Sequence, residues 1–419
     1  MMTFQATASI PMRVLLIHQN FPGQFRQLAP YLQQQGHELV AICSHQRPTG
    51  VSCRTLRYVE PPSLEGQALG TMLAHDAWQR ASAVAQLCQQ LNHEGWKPDC
   101  IAVHSGWGES LALREVWPHV SQVVWPELWV LPEHGGHGHD PMLPPDSLAL
   151  RLEQLGRNTL TRAALSQANA WVLPMQHQAR SLPPDFQGKR LHVVHEGIDT
   201  NFACPNPHVQ YQVRDVLINR AVPTLTFVNR NLERLRGFDQ FMRALPQVMS
   251  SVPNLRVIIV GDNQKGYGGL HPSGKPLKEV ILEELCGQID LERIHFLGRI
   301  PHQQLIAVLQ ASWVHVYLSY PFILGWSLLE ALSCGCSIIG SRGMPVEEVI
   351  TDGVDGLLVA MDDADQLAQR IVALLRSPDL RQQFSQRARQ RALAWDQQIM
   401  LPKLELVLRS ASQPPTVCS

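Results

Sequence analysis

The 419-residue chain has no apolar run near the roughly 18–20 residues that a bilayer-spanning helix needs. Its first eleven residues carry neither the basic nor the apolar region of a signal peptide. They are expected to form a disordered leader, 1–11, with Met12 as the functional start. The chain also lacks an excess of either charge: 35 Lys and Arg stand against 36 Asp and Glu, a net charge of −1. No general field therefore draws nucleic acid or anionic lipid, and an anion site has to come from local arginines. The nine cysteines never form C-x-x-C. Cys334 and Cys336 flank Gly335 with no second pair nearby, a poor zinc pattern. Reduced thiols suit a cytoplasmic protein. The G-x-G-x-x-G fingerprint is absent too, which disfavours a nicotinamide enzyme.

What remains is a globular composition, 45% hydrophobic and 17% charged, in a chain too long for one core. Arg13 to His18 reads as a short strand, Pro22-Gly23 as a turn, Phe25 to Gln35 as a helix and Glu38 to Cys43 as a second strand. This βαβ opening is Rossmann-like. Gly23, followed by Gln24, lets another group approach the backbone closely. A helical stretch over 65–92 precedes the strand Cys100 to His104 and the glycine-bracketed loop Ser105-Gly-Trp-Gly-Glu109. His104 ends a parallel strand, where open α/β sheets place ligands, although a satisfied structural histidine fits as well. Glu127 occupies the analogous edge one strand later. Residues 131–145 hold three histidines and Asp140, but their glycines fix no geometry and no helical i, i+4 pair supports a metal. A mobile loop near the second substrate is the expectation.

After a proline-punctuated interdomain stretch the alternation resumes with the strand Thr224 to Val228. Arg230 and Arg236 bracket the loop that follows, and their guanidinium forks match phosphate oxygens. A solvated basic loop paired to Glu233 is the plainer reading. Leu255 to Val260 is a near-continuous apolar strand ending at Gly261, as in a doubly wound sheet. Arg299 and Ile300 lie between a further strand and a helix opened by Pro301. Ser319 to Ile339 is a strand-loop-helix turn: Gly325 precedes a helix that Ser327 opens and that carries Glu330. Such a turn aims backbone N–H groups and a helix dipole at one spot. An ordinary buried α/β unit would read the same way. Asp362, Asp363 and Asp365 precede a helix and read as capping acids, not as a metal pair.

Taken jointly, these segments resemble the family 4 retaining glycosyltransferases of the GT-B fold. The resemblance rests on Asn229-Arg230 with Arg236-Gly237, on Gly325, Ser327, Leu329, Glu330, Ala331, Cys334 and Gly335, and on Glu196-Gly-Ile-Asp199. Gly343-Met-Pro345-Val-Glu-Glu348-Val349 and Asp352-Gly353 to Val359 add to it. His18 to Phe25 and His104 to Glu109 are similar to one bacterial subgroup. The resemblance implies an α/β GT-B architecture of two Rossmann-like doubly wound domains facing across a cleft. The acceptor domain would cover 12–200, a linker 201–220 and the donor domain 221–394. A C-terminal helix and frayed tail, 395–419, would pack back on the first domain.

By the same resemblance the donor is a nucleoside-diphosphate-sugar, and the acceptor a saccharide or a lipid-linked saccharide that brings the enzyme to the inner membrane as a peripheral contact. Nucleic acid is not a partner. Arg230, Arg236 and His104 would be catalytic. Glu330, Gly325, Ser327, Arg299, Ile300 and Gly261 would bind the donor, and Gly23, Gln24 and Glu127 would lie on the acceptor side. No metal or cofactor would be needed, because guanidinium charge meets the diphosphate. One position departs from the pattern. The family carries a glutamate eight residues before Glu330, and here that position is Phe322. Donor recognition must then differ or activity be lost, so a catalytically silent sugar-nucleotide-binding protein stays open, as does an epimerase of the same fold.

Overall fold

The computed structural model describes residues 10–62, 64, 66–67, 69–140, 143, 146–264, 266 and 271–413. Most of the expected leader and tail, 1–9 and 414–419, lies outside the described residues. The chain divides into two compact units, one of residues 1–131, 147–197 and 397–419, the other of 132–146 and 198–396.

The first unit is built on seven parallel strands: β1 (Arg13–Ile17), β2 (Glu38–Cys43), β3 (Arg54–Arg57), β4 (Cys100–His104), β5 (Ser121–Trp125), β6 (Ala170–Leu173) and β7 (Leu191–Val193). Their order is β3-β2-β1-β4-β5-β6-β7. β1 and β4 are near-continuous apolar runs and β5 is buried along its whole length, because both faces are covered. Leu15, Ile17, Ile101 and Val103 pack on one face under the helix Leu69–His93. Val14, Leu16, Cys100 and Ala102 pack on the other, where Leu401, Leu404 and Leu408 of the helix Gln397–Ser412 complete the core.

Between the sheets the proline-punctuated stretch is not wholly irregular. Tyr211–Val213 (β8) and Val216–Ile218 (β9) pair as a two-stranded antiparallel ribbon. The second unit follows with β10 (Thr224–Asn231), β11 (Arg256–Asp262), β12 (Ile294–Gly298), β13 (Val314–Tyr317), β14 (Ser337–Ser341) and β15 (Leu357–Val359). They are parallel, in the order β12-β11-β10-β13-β14-β15. The core on one face gathers Leu225 and Phe227 of β10, Val257 and Ile259 of β11, and Phe238, Phe241 and Leu245 of the helix Phe238–Ser251. Asp363 caps the helix Ala364–Arg376 by accepting from Gln366 N at 2.8 Å, as its position predicts.

In each sheet the strand order reverses once, between β1 and β4 and between β10 and β13. Loops diverge at such a switch point and leave a crevice outside the carboxyl ends of the strands. Both candidate sites lie there.

Candidate functional site

In the second unit, the loop after β10 and the loop after β13 meet beside the switch point. Leu235 O accepts from Tyr320 N at 3.0 Å, which pins one loop to the other. Gly237 then turns the chain into its helix with φ +65, and an added Cβ would lie 2.6 Å from Leu318 Cβ, so only glycine fits there. This turn carries Arg236 inward, where it is 8% exposed. Its Nη1 donates to Ser319 Oγ at 2.8 Å and to Tyr317 Oη at 3.4 Å. The Phe322 ring lies 5.2 Å from Cζ, in cation–π range. All three neighbours are neutral. Among the described residues no carboxylate pairs with Arg236, and its Nε and Nη2 hydrogens have no acceptor.

Arg234, two residues earlier, has the opposite surroundings. It forms a two-pronged pair with Asp140, at 2.9 and 2.6 Å, and lies 3.2 Å from Asp239. Against burial, which lowers it, the Asp140 and Asp239 carboxylates raise its pKa further. The sequence reading singled out Arg230 and Arg236, and missed Arg234. Arg230 is exposed where the pairing of β10 with β11 slips, between Val228 and Asn231. No bond brings it to Arg236 among the described residues. The Asp140 contact also assigns the histidine-rich stretch. Expected near the acceptor, residues 132–146 group with the second unit, with His134 buried in the short 3-10 helix Pro132–Gly135.

Gly325 precedes the helix Trp326–Ser333, and its N–H donates to Tyr317 Oη at 2.7 Å. Tyr317 thus receives bonds from both Gly325 and Arg236. Ser327 lies in the first turn of that helix and is half-buried. Glu330, one turn further in, is 8% exposed, with Oε1 2.6 Å from His302 Nε2. His302 opens the helix His302–Ala311, just after Arg299, which is exposed, and Ile300, which is half-buried. Glu330 and the Arg299–Ile300 segment are therefore joined through His302, a residue the sequence reading did not select. Gly261 serves packing: an added Cβ would lie 2.9 Å from Asn229 O and 2.8 Å from Leu232 Cδ2.

In the first unit, His104 ends β4 and His18 follows β1, on either side of the other switch point. Their rings are 5.1 Å apart, and Trp107 lies 4.2 Å from His104 and 5.5 Å from His18. His18 Nδ1 accepts from Asn20 N at 3.0 Å. Burial, with His104 and Arg47 nearby, pushes its pKa down to about 2, so the imidazole stays neutral. Gly23 has φ +48, and an added Cβ would lie 2.2 Å from the His18 ring. The close approach expected of this glycine is by an imidazole of its own chain. Next to it, Gln24 Oε1 is buried without a partner among the described residues.

His104 Nδ1 accepts from Gly106 N at 3.3 Å, leaving Nε2 to face Glu127 Oε2 at 3.5 Å. Glu127 holds φ +62, a left-handed conformation that disfavours side-chain-bearing residues by about 1–2 kcal/mol. Gln178 Nε2 donates to its carbonyl and secures that turn. The strain aims the carboxylate at His104. Glu109 is fully buried, accepts from Tyr58 Oη at 2.9 Å and has Oε2 unpartnered among the described residues. Burial pushes its carboxyl upward. Among the described residues, no three His, Cys, Asp or Glu side chains gather as metal ligands, and no helix is long and apolar enough to cross a membrane.

Residues 35–203 match the model of the "Glycosyl transferase family 4 group", and residues 212–391 that of "Glycosyl transferases group 1". A D-inositol 3-phosphate glycosyltransferase of Mycobacterium ulcerans is 31% identical over 192 residues, covering 45% of this chain and 38% of that protein. The chain thus spans about two fifths of the length of the first curated relatives it matches. Two solved structures share the fold across nearly its whole length. A sucrose-phosphate synthase from Thermosynechococcus elongatus has TM-score 0.72 and 18% identity, covering 96% of this chain and 99% of its own. HepE of Anabaena, in complex with UDP-glucose, has TM-score 0.70 and 17% identity, covering 95% and 100%.

Proposed function

We propose that this chain, which has the GT-B fold and matches a family 4 group model at 35–203 and a group 1 model at 212–391, is a glycosyltransferase that moves a sugar from a nucleoside-diphosphate-sugar to a saccharide or lipid-linked acceptor. Assembly of a cell-surface polysaccharide or glycolipid is the setting. The observation that carries this reading is Arg236. A buried guanidinium without an anionic partner is costly, and among the described residues this one has none and three of its hydrogens have no acceptor. A diphosphate supplies both the charge and the oxygens. As the bond to the transferred sugar breaks, negative charge grows on the leaving diphosphate, and a positioned guanidinium stabilises it more than the ground state.

Arg230, exposed beside this loop, would add charge once a ligand is bound, so guanidinium groups would do what a metal does elsewhere. Gly325 and Ser327 place the start of the helix Trp326–Ser333 beside the same ligand, and Gly261 keeps the β10 loop in place. Glu330 would accept from ribose hydroxyls in exchange for His302, and the backbone at Arg299 and Ile300 would meet the base. In the first unit, His104, held by Glu127, would bind a sugar hydroxyl, and Gln24 Oε1 beside Gly23, without a partner among the described residues, would accept from another. Transfer proceeds with retention at the anomeric carbon.

The test is a transfer assay with wild-type protein and Arg236→Ala over a panel of nucleotide-sugars, with product anomers read by NMR. Loss of one such stabilising donor lowers kcat by about 100- to 1000-fold. Arg236→Ala at near-wild-type rate would refute the assignment, and an inverted product would refute retention.

A further inference from the structure

The loop between β13 and the helix Trp326–Ser333 is tied at both ends. Tyr320 N donates to Leu235 O, and Gly325 N donates to Tyr317 Oη. Between these ties lies Phe322, half-buried, with its ring packed against the core of the second unit and 5.2 Å from Arg236 Cζ. The loop Ser319 to Gly325 contains no acidic residue. Among the described residues, the groups recorded against the Arg236 guanidinium are all uncharged: two hydroxyls and an aromatic face.

We propose that Phe322 is a positioning residue for Arg236: its ring holds the guanidinium in place by its π face and leaves the cation uncompensated, so that the bound anion is its sole counter-charge. The inference rests on the reading of Arg236 as a diphosphate-binding group, and deepens it. An aromatic face attracts a guanidinium through its quadrupole but takes up none of the five N–H donors. A carboxylate at the same place would hold the arginine as firmly, but would cancel its charge and occupy part of its fork. The two hydroxyls fix Nη1, and the ring fixes the plane. Nε and Nη2 are then presented to a ligand in a set direction. The contrast lies two residues away, where Arg234 is locked between two carboxylates and has little charge left to offer.

The choice at position 322 thus decides whether the second arginine of the loop is structural, like Arg234, or free for an anion.

The experiment measures binding of inorganic pyrophosphate and of UDP and GDP by calorimetry, at two salt concentrations, to full-length wild type and to Phe322→Tyr, Phe322→Leu, Phe322→Glu and Arg236→Ala. Melting temperatures show that each variant is folded. Phe322→Tyr keeps the π face, and its affinity should stay within about threefold of wild type. Phe322→Leu conserves bulk but not the quadrupole, and should weaken pyrophosphate about two- to thirtyfold. Phe322→Glu should weaken it about tenfold or more and flatten its salt dependence, because the site then carries one net charge less.

Phe322→Glu or Phe322→Leu binding pyrophosphate as tightly as wild type, while Arg236→Ala does not, would overturn the role given to Phe322 alone. Wild type that binds neither pyrophosphate nor either nucleotide, or that binds them no better than Arg236→Ala, would overturn the diphosphate reading with it.

Discussion

His315 gives the molecule a measurable sensitivity to acid. Its imidazole is fully buried in β13, with Nδ1 2.8 Å from Thr226 Oγ1 and no partner for Nε2 among the described residues. Burial pushes its pKa from 6.5 down to about 3. In the unfolded chain the same ring takes a proton near about pH 6.5. With the folded pKa depressed, the unfolded state is the better proton binder, so stability drops as pH falls below about 6.5 and keeps dropping to about pH 3.

Between about pH 7 and pH 5, linkage gives about 2 kcal/mol for one such histidine. His18 and His195 in the first unit act in the same direction, with burial holding them at about 2 and about 4. The buried carboxyls of Glu109 and Asp239 act in the other, because burial raises them and the folded state gains protons. Acid unfolding of the wild type alone therefore mixes opposing contributions.

His315→Leu separates them. At neutral pH the variant loses the bond to Thr226, about 1 kcal/mol, but it carries no proton penalty in acid. Denaturant unfolding of both full-length proteins at about pH 7 and about pH 5 should show the variant gaining about 2 kcal/mol relative to wild type. A stability difference that is the same at both pH values refutes the reasoning.

Glu330→Gln should weaken UDP and GDP by about tenfold or more while leaving pyrophosphate binding unchanged, since a carboxylate that accepts from ribose does not touch the phosphates. Equal losses for both kinds of probe would show that Glu330 supports the phosphate end instead. Arg234→Ala removes the guanidinium that Asp140 and Asp239 share, leaving Asp239 to Arg243 at 3.0 Å, and should cost about 1–3 kcal/mol in denaturant unfolding. A loss below about 1 kcal/mol would mean that the network is solvated. Glu127→Gly and Glu127→Ala both remove the carboxylate beside His104, and both should slow transfer. Only glycine relaxes φ +62, so it should be more stable than the alanine variant by about 1 kcal/mol.

The sheet strands were legible because a parallel strand covered on both faces is a bare apolar run: Arg13 to Ile17, Cys100 to His104 and Arg256 to Val260 announce themselves. Gly325 was legible as the residue before a helix and Gly237 through the resemblance; of the two, only Gly237, at φ +65, has a backbone that demands glycine. Both switch-point loops could be located this way, and with them Arg236, His104 and Glu330. What resisted reading was contact between distant parts. Asp140 and Arg234 are 94 residues apart, and nothing periodic links a histidine-rich loop to that arginine. His302 meets Glu330 only because two helices lie side by side. Phe322 was visible as a departure from a pattern, yet its stacking on Arg236 depends on how the loop is tied at Tyr320 and Gly325. The ribbon Tyr211–Ile218 was hidden by the prolines around it.

The helix Gln397–Ser412 has a consequence for how the chain is made. It fills the core of the first unit with Leu401, Leu404 and Leu408, and Tyr31 and His37 bond to its Glu405. Residues 1–197 leave the ribosome with that face of their sheet covered only in part, by Phe25, Leu28 and Leu32, and residues 132–146 and 198–396 are all available before the missing helix is. Domains usually mature in the order of synthesis. Here the order is inverted: the second unit can close during translation, while the first waits with part of this core open to a chaperone until the helix Gln397–Ser412 arrives.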